Sequence, residues 1–229
     1  LPIVIDSEQF DELYDFAKKQ NVVLMPAMKT AYATAYNRLL LLTKTGKIGR
    51  IISVDATCTS IRDVVKENKE YSQIWNSICA WGPTALLPVL QILGVSYSKA
   101  TISSLFIDKK SNYDAFTKMD FLYDNAVASL KVGRGVKSEG DLVISGTNGY
   151  IYVPAPWWKT DYFEIRYENS TNNKRYFYQL DGEGIRYELV AFVKSIRTSV
   201  HDLYISDEVS RKICEIISEF YKGNVQIIS

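Results

Sequence analysis

Leu142-Val143-Ile144-Ser145-Gly146-Thr147-Asn148-Gly149-Tyr150-Ile151-Tyr152-Val153 decides how this chain is read. Two β-type runs, 141–145 and 150–153, flank Asn148-Gly149. Asn-Gly tolerates the positive φ angles of a tight hairpin turn, so the dipeptide between two such runs predicts an antiparallel hairpin. The pattern continues in both directions. Runs at 97–107, 115–123, 126–132, 162–167 and 175–180 are separated by Asp124-Asn125, by Glu139-Gly140 and by the cluster from Asn169 to Asn173. Short runs with turn signals between them predict a large, mainly antiparallel open sheet of about six strands.

Helical periodicity brackets this region. Glu183 to Ser199 places Leu189, Phe192, Val193 and Ile196 on one stripe. Ser206 then offers an N-cap oxygen, Val209, Ile213, Ile216, Ile217 and Phe220 line up behind it, and Gly223 ends the helix. Upstream, Thr30 to Thr45 reads as a helix stopped by Gly46. Ile48 to Thr59 alternates as a strand, with Ile52, Val54, Ala56 and Cys58 on one side. Residues 61–81 are charged and irregular, a loop or short helix. Pro83 suits a first helical turn, and the helix it opens runs to Gly94. About four helices therefore back one face of the sheet. The 16 tyrosines, most of them beyond residue 70, point to an aromatic open face in need of a cover. A second subunit is the simplest cover, as a homodimer or tetramer.

The first 28 residues read differently. Ile3-Val4-Ile5 is a short strand, and Asp6 or Ser7 caps a helix carrying Phe10, Leu13, Tyr14 and Ala17 on one face. Val22 to Met25 reads as a buried strand. Such a strand–helix–strand unit builds parallel sheets but is too small to stand alone. The expected fold class is α+β. Residues 1–28 are the remnant of a doubly wound, dinucleotide-binding domain, and residues 29–229 form the sheet domain.

Composition narrows the function. Hydrophobic residues make up 47% and charged residues 23%, which permits a sizeable core in 229 residues. The net charge is +1 and Lys/Arg are dispersed, which argues against nucleic acid. The run Val22-Val23-Leu24-Met25 is far too short to span a membrane. No positive segment followed by an apolar stretch marks a signal peptide. Cys58, Cys79 and Cys214 are odd in number and widely spaced, matching neither a disulfide framework nor a metal site. They read as small buried residues in a reducing cytoplasm.

Four stretches, in order, resemble the Gfo/Idh/MocA oxidoreductases, in the branch with dimeric dihydrodiol and xylose dehydrogenases. Leu1-Pro2-Ile3 stands where that family has Glu-Lys-Pro. Val23 to Thr30, with the helix to Gly46-Lys47-Ile48-Gly49, is similar to the start of its C-terminal domain. Gly82 to Gly94 looks like its active-site helix, and Ile144 to Gly149 like its edge hairpin. The resemblance implies hydride transfer between a sugar-type alcohol carbon and NAD or NADP. It also implies a lysine from Glu-Lys-Pro, and a His or Tyr on the helix with an Asp four residues before it. Such groups take the hydroxyl proton and hold the developing alkoxide. Here Leu1 stands at the lysine position, Ala80 at the Asp position and Thr84 at the His/Tyr position. Gly133 and Gly135 give G-x-G without a third glycine and in a hairpin context.

The substrate-binding candidates are Lys29, Thr84, Trp157, Trp158 and Lys159. Lys29 follows a strand end near the implied substrate mouth, where a cation holds a hydroxyl, carboxylate or phosphate; the blander reading is a solvated lysine at a helix start. Thr84 is a ligand donor or a back-bonded helix residue. Pro154-Ala155-Pro156-Trp157-Trp158-Lys159 stiffens the backbone. One tryptophan then packs on the sheet and the other meets a sugar face or partner, unless both are core or interface. His201, the only histidine, reads as a loop residue, and Asp207-Glu208 as helix-dipole partners. Two functions remain open. The first is the substrate and oligomerisation domain of an NAD(P)-dependent sugar oxidoreductase, inactive as this polypeptide alone. The second is a non-catalytic binding or assembly domain that kept the fold.

Overall fold

Backbone hydrogen bonding joins the β-type runs into one ten-stranded sheet in the computed structural model, which describes residues 2–61, 76–198 and 204–228. The strands are β1 (Ile51–Ile61), β2 (Lys99–Asp108), β3 (Tyr113–Leu122), β4 (Val127–Gly133), β5 (Gly135–Val136), β6 (Leu142–Gly146), β7 (Gly149–Val153), β8 (Tyr162–Arg166), β9 (Lys174–Phe177) and β10 (Gln226–Ile227). Their order is β10-β2-β3-β4-β1-β6-β7-β8-β9, with β5 paired to β1 at the side. The helices are α1 (Ser7–Lys19), α2 (Thr34–Thr43), α3 (Ser77–Leu93), α4 (Ile185–Thr198) and α5 (Asp207–Tyr221).

The sheet is larger than the six strands expected, and two of its pairings are parallel: β1 with β4 and β10 with β2. Ser53 lies opposite Val127, so the central pairing is non-local and leaves no trace in neighbouring residues. The diagnostic hairpin forms, with its turn one residue earlier than Asn-Gly suggests. Gly146 pairs with Gly149, and Thr147-Asn148 are the loop. Gly149 has φ 154°, and a Cβ there would meet the Arg166 carbonyl at 2.7 Å. Its glycine therefore lets β8 approach.

One face of the sheet is buried. Val54, Ala56, Cys58, Met119, Leu130, Val132, Ile144, Ile151, Phe163 and Ile165 alternate inward along their strands and belong to one core. α3 lies on β1, β3 and β4 with Leu86, Leu87 and Leu90, and α5 packs on α3 through Ile213, Ile217 and Phe220. The other face is polar at its centre, where Ser53, Asp55, Lys118, Asp120, Ser129 and Lys131 fall on one side by register. Its β7–β9 end is aromatic. There Tyr150, Tyr152, Tyr162 and Phe177 share the face with Arg166 and Arg175. Arg166 sits 4.4 Å over Tyr152, Arg175 sits 5.0 Å over Tyr162, and Glu164 pairs with both arginines.

Several expected elements are changed. Of the strand–helix–strand unit only α1 forms, with Asp6 accepting from the Glu8 amide; 3–5 and 22–25 carry no ladder. A strand exists by pairing, and these segments find no sheet neighbour among the described residues. α1 instead packs on α5 through Phe10, Tyr14 and Cys214. The helix expected over 30–45 divides into a 3-10 turn (Lys29–Tyr32) and α2, because Ala33 is extended. α3 begins at Ser77, ahead of Pro83, within the stretch read as loop or short helix; 62–75 lie outside the described residues. The helix expected from Glu183 begins at Ile185, after a turn over Asp181–Gly184. Its stripe residues Leu189, Val193 and Ile196 are exposed. Leu1 and His201 lie outside the described residues.

Candidate functional site

The N-terminal half of α3 is held by groups far away in the chain. The Asn76 side chain accepts from the Cys79 amide at 3.1 Å, and the Asp114 carboxylate accepts from the Ile78 amide at 3.3 Å. The Thr117 hydroxyl donates to Asp114 at 2.6 Å, and Ser77 donates to the Asp114 carbonyl at 2.7 Å. These bonds satisfy amides that a helix start leaves without intrahelical partners. Burial pushes the Asp114 carboxyl up to about 6, against the lowering effect of the Thr117 hydroxyl and the backbone amides. So anchored, α3 buries every residue from Ser77 to Leu90 except Ala80, Trp81 and Thr84. Thr84 links these half-buried positions, because it lies four residues from Ala80 and three from Trp81 on the helix surface.

Trp81 extends that face toward the Pro-Trp-Trp segment. Its ring centroid is 4.9 Å from that of Trp158, and its indole N–H donates to the Ser60 hydroxyl at 3.3 Å. The two adjacent tryptophans take different places. Trp157 is 2% exposed, meets Tyr36, and donates to the Thr57 carbonyl at 3.2 Å. Trp158 is half-buried, edge-on to Trp157, and lies against Gly140, where a Cβ would approach the indole to 3.0 Å. Gly140 thus leaves room for the ring.

Two cations stand beside Trp158. The Thr30 hydroxyl donates to the Trp158 carbonyl at 3.2 Å, which ties the turn carrying Lys29 to the 3-10 turn Trp157–Lys159. Lys29 and Lys159 each donate at 2.7 Å to the Glu183 carboxylate, one to each oxygen. The two ammonium groups pull the Glu183 carboxyl down to about 2. Glu183 itself has φ 55°, between Gly182 at 56° and Gly184 at 88°. Left-handed backbone disfavours a residue with a Cβ, by about 1–2 kcal/mol. A Cβ at Gly184 would press on the Lys29 carbonyl at 3.1 Å. On the turn that follows Lys29 and on α4, the Tyr32 hydroxyl and Glu188 Oε1 are buried without a hydrogen-bond partner. Burial raises the Glu188 carboxyl, and Lys29 partly offsets it.

Of the sequence candidates, Lys29, Trp158 and Lys159 come together with Trp81 and Glu183. Thr84 and Ala80 lie on the α3 face that Trp81 shares, and Trp157 belongs to the core. Trp81 and Glu183 were missed. Trp81 has only its place beside Gly82 to mark it, and Glu183 has the sequence pattern of a helix start although glycines flank it. The grouping offers aromatic faces and ammonium donors, which suits a sugar ring and an oxyanion. Neither Ala80 nor Thr84 supplies a base at neutral pH.

Gly133 and Gly135 do not form a dinucleotide cradle. Gly133 and Gly135 join β4 to β5, not a strand to a helix, and a Cβ at Gly135 would meet the Ala115 Cβ at 2.9 Å. They admit a neighbouring strand rather than a pyrophosphate. Among the described residues no group of His, Cys, Asp and Glu is placed to hold a metal, and no helix is long and apolar enough to cross a membrane. Cys58, Cys79 and Cys214 are free and buried.

No family model and no curated protein matches the sequence. Solved structures do match. The chain superposes on KijD10, a 3-ketoreductase from Actinomadura kijaniata solved with NADP and TDP-benzene, with TM-score 0.82 and 14% identity, over 99% of this chain and 70% of that one. It also superposes on the UDP-N-acetylglucosamine 3-dehydrogenase GnnA from Acidithiobacillus ferrooxidans, with TM-score 0.73 and 15% identity, over 94% of this chain and 66% of that one. The chain has the fold of these oxidoreductases, and the resemblance to the Gfo/Idh/MocA type holds at that level.

Proposed function

We propose that residues 29–229 are the substrate-binding and oligomerisation domain of an NAD(P)-dependent, sugar-type oxidoreductase of the Gfo/Idh/MocA family. Residues 1–28 are then the last piece of its dinucleotide-binding domain. The observation that carries this reading is the coincidence of fold and site. A chain matching a 3-ketoreductase solved with NADP over nearly its whole length gathers Trp81, Trp158, Lys29 and Lys159 beside the half-buried face of α3. The ligand is a sugar or sugar derivative whose ring lies on the Trp158 side of the mouth. No dinucleotide cradle forms among the described residues, and on this reading the polypeptide alone does not turn over NAD(P).

Isothermal titration with UDP-N-acetylglucosamine, TDP-glucose and a panel of free sugars tests the reading. Saturable binding of at least one, weakened by Trp158→Ala, is expected. No binding across the panel would overturn it. A second reading is favoured by Ala80 and Thr84: a binding or assembly domain that kept the fold and lost the dehydrogenase chemistry. It predicts self-association without sugar binding.

Self-association belongs to both readings. The β7–β9 end of the open face is rich in tyrosine and arginine, the residue types that dominate protein interfaces. A homodimer or tetramer closing this face would cover Tyr150, Tyr152, Tyr162 and Phe177.

A further inference from the structure

We infer that Glu183 is an internal stand-in for a ligand anion, and that Lys29 and Lys159 form a seat for the phosphate or carboxylate of a sugar. This rests on the sugar-binding reading above and names the substrate class for the same mouth. Both lysines are carried by elements tied to the body of the domain. Lys29 opens the turn whose Thr30 holds the Trp158 carbonyl, and Lys159 ends the turn begun by core residue Trp157. Two ammonium groups fixed this close repel one another unless an anion lies between them. Each Glu183 oxygen takes one ammonium at 2.7 Å, the bridging arrangement that two oxygens of a phosphate or carboxylate reproduce.

Glu183, by contrast, is loosely invested in the fold. Its side chain is 55% exposed, and it reaches the seat from a turn with three successive left-handed residues, one of them not glycine. Held ion pairs at such exposure add little to stability. Release of the carboxylate relieves a disfavoured backbone, and the flanking Gly182 and Gly184 give the turn freedom to rearrange. An arriving oxyanion therefore exchanges for Glu183 at little net cost. The neighbouring Trp158 and Trp81 rings set the class of the rest of the ligand, a sugar ring with apolar faces.

The experiment compares the wild-type chain with Glu183→Gln, Glu183→Gly and the double variant Lys29→Met/Lys159→Met. The probes are glucose 1-phosphate, glucuronate, glucose and inorganic pyrophosphate, titrated calorimetrically at low and at 0.5 M salt. Both Glu183 variants should bind the anionic probes about fivefold tighter, as expected for removal of one exposed competing ion-pair partner. Glu183→Gly removes the backbone strain as well, so it guards against misfolding of the turn. The lysine variant should lose binding of the anionic probes, and high salt should weaken only the anionic probes. Unchanged or weaker anion binding in both Glu183 variants, or full anion binding by the lysine variant, would overturn the seat. Tighter pyrophosphate binding with no sugar bound leaves the seat standing and removes the sugar reading. Sugar binding indifferent to every substitution does the reverse. A preference between glucose 1-phosphate and glucuronate decides which oxyanion the seat takes.

Discussion

Asp114→Asn should change how stability depends on pH. The Asp114 carboxyl is fully buried beneath the start of α3, and burial raises it from 3.8 to about 6. Between about pH 4 and 6 the folded chain therefore keeps a proton that the unfolded chain releases. Stability from this group is fully present below about 4 and is lost as pH rises through about 6. A shift of about two units corresponds to roughly 3 kcal/mol, at about 1.4 kcal/mol per unit. Burial also raises the Glu188 carboxyl, but it is common to both proteins and cancels in the difference. The assay is urea unfolding of wild type and Asp114→Asn at half-unit steps from pH 4 to 7. The variant should gain roughly 3 kcal/mol relative to wild type across that range. Its absolute stability is set separately, by how well an amide serves the Ile78 amide and the Thr117 hydroxyl. A difference between the two proteins that stays constant with pH would refute the reasoning.

Three further outcomes follow from the geometry. Trp157→Ala should destabilise the chain by about 3–5 kcal/mol, since a fully buried indole and its bond to the Thr57 carbonyl are lost, whereas Trp158→Ala should cost far less; thermal unfolding of the two variants checks the contrast. Light scattering at tens of micromolar should show a dimer or larger species, and Tyr152→Ala with Arg175→Ala should shift it toward monomer; a wild-type monomer counts against the covered sheet face. Incubation with NAD or NADP and a sugar panel should give no protein-dependent NAD(P)H absorbance, and reproducible formation would contradict the proposed inactivity of this polypeptide alone.

Strand positions from 99 to 166 were readable because hairpins announce themselves locally: a run, a turn residue and a run. The Ser206 cap was readable for the same reason, and its hydroxyl does accept from the Val209 amide at 3.3 Å. What escaped the sequence depends on partners distant in the chain. The start of α3 is set in part by Asp114, which no residue near Ser77 reveals. The β1–β4 pairing is parallel and bridges the whole β2–β3 hairpin. Ile3 to Ile5 and Val22 to Met25 have strand-like composition but no neighbour to pair with among the described residues, and composition cannot supply one. The α4 periodicity marked an apolar stripe correctly, yet periodicity does not say whether that stripe is covered. At the site, Lys29, Trp158 and Lys159 were identifiable by type. That they meet through Glu183 was not, because the link is a left-handed turn lying between a β-type run and a helix.

The central claim, a sugar site on the Trp158 side of the mouth and not in the core beneath it, is tested most directly by the tryptophan indole resonances. The chain has four tryptophans, and an amide-proton NMR titration of the nitrogen-15-labelled protein with UDP-N-acetylglucosamine follows each indole N–H. The Trp81 and Trp158 indole signals should shift together and saturate. The Trp157 signal should stay in place, its N–H being held by the Thr57 carbonyl. Titration without movement of Trp81 and Trp158, with this ligand and with the other sugars, would contradict the account.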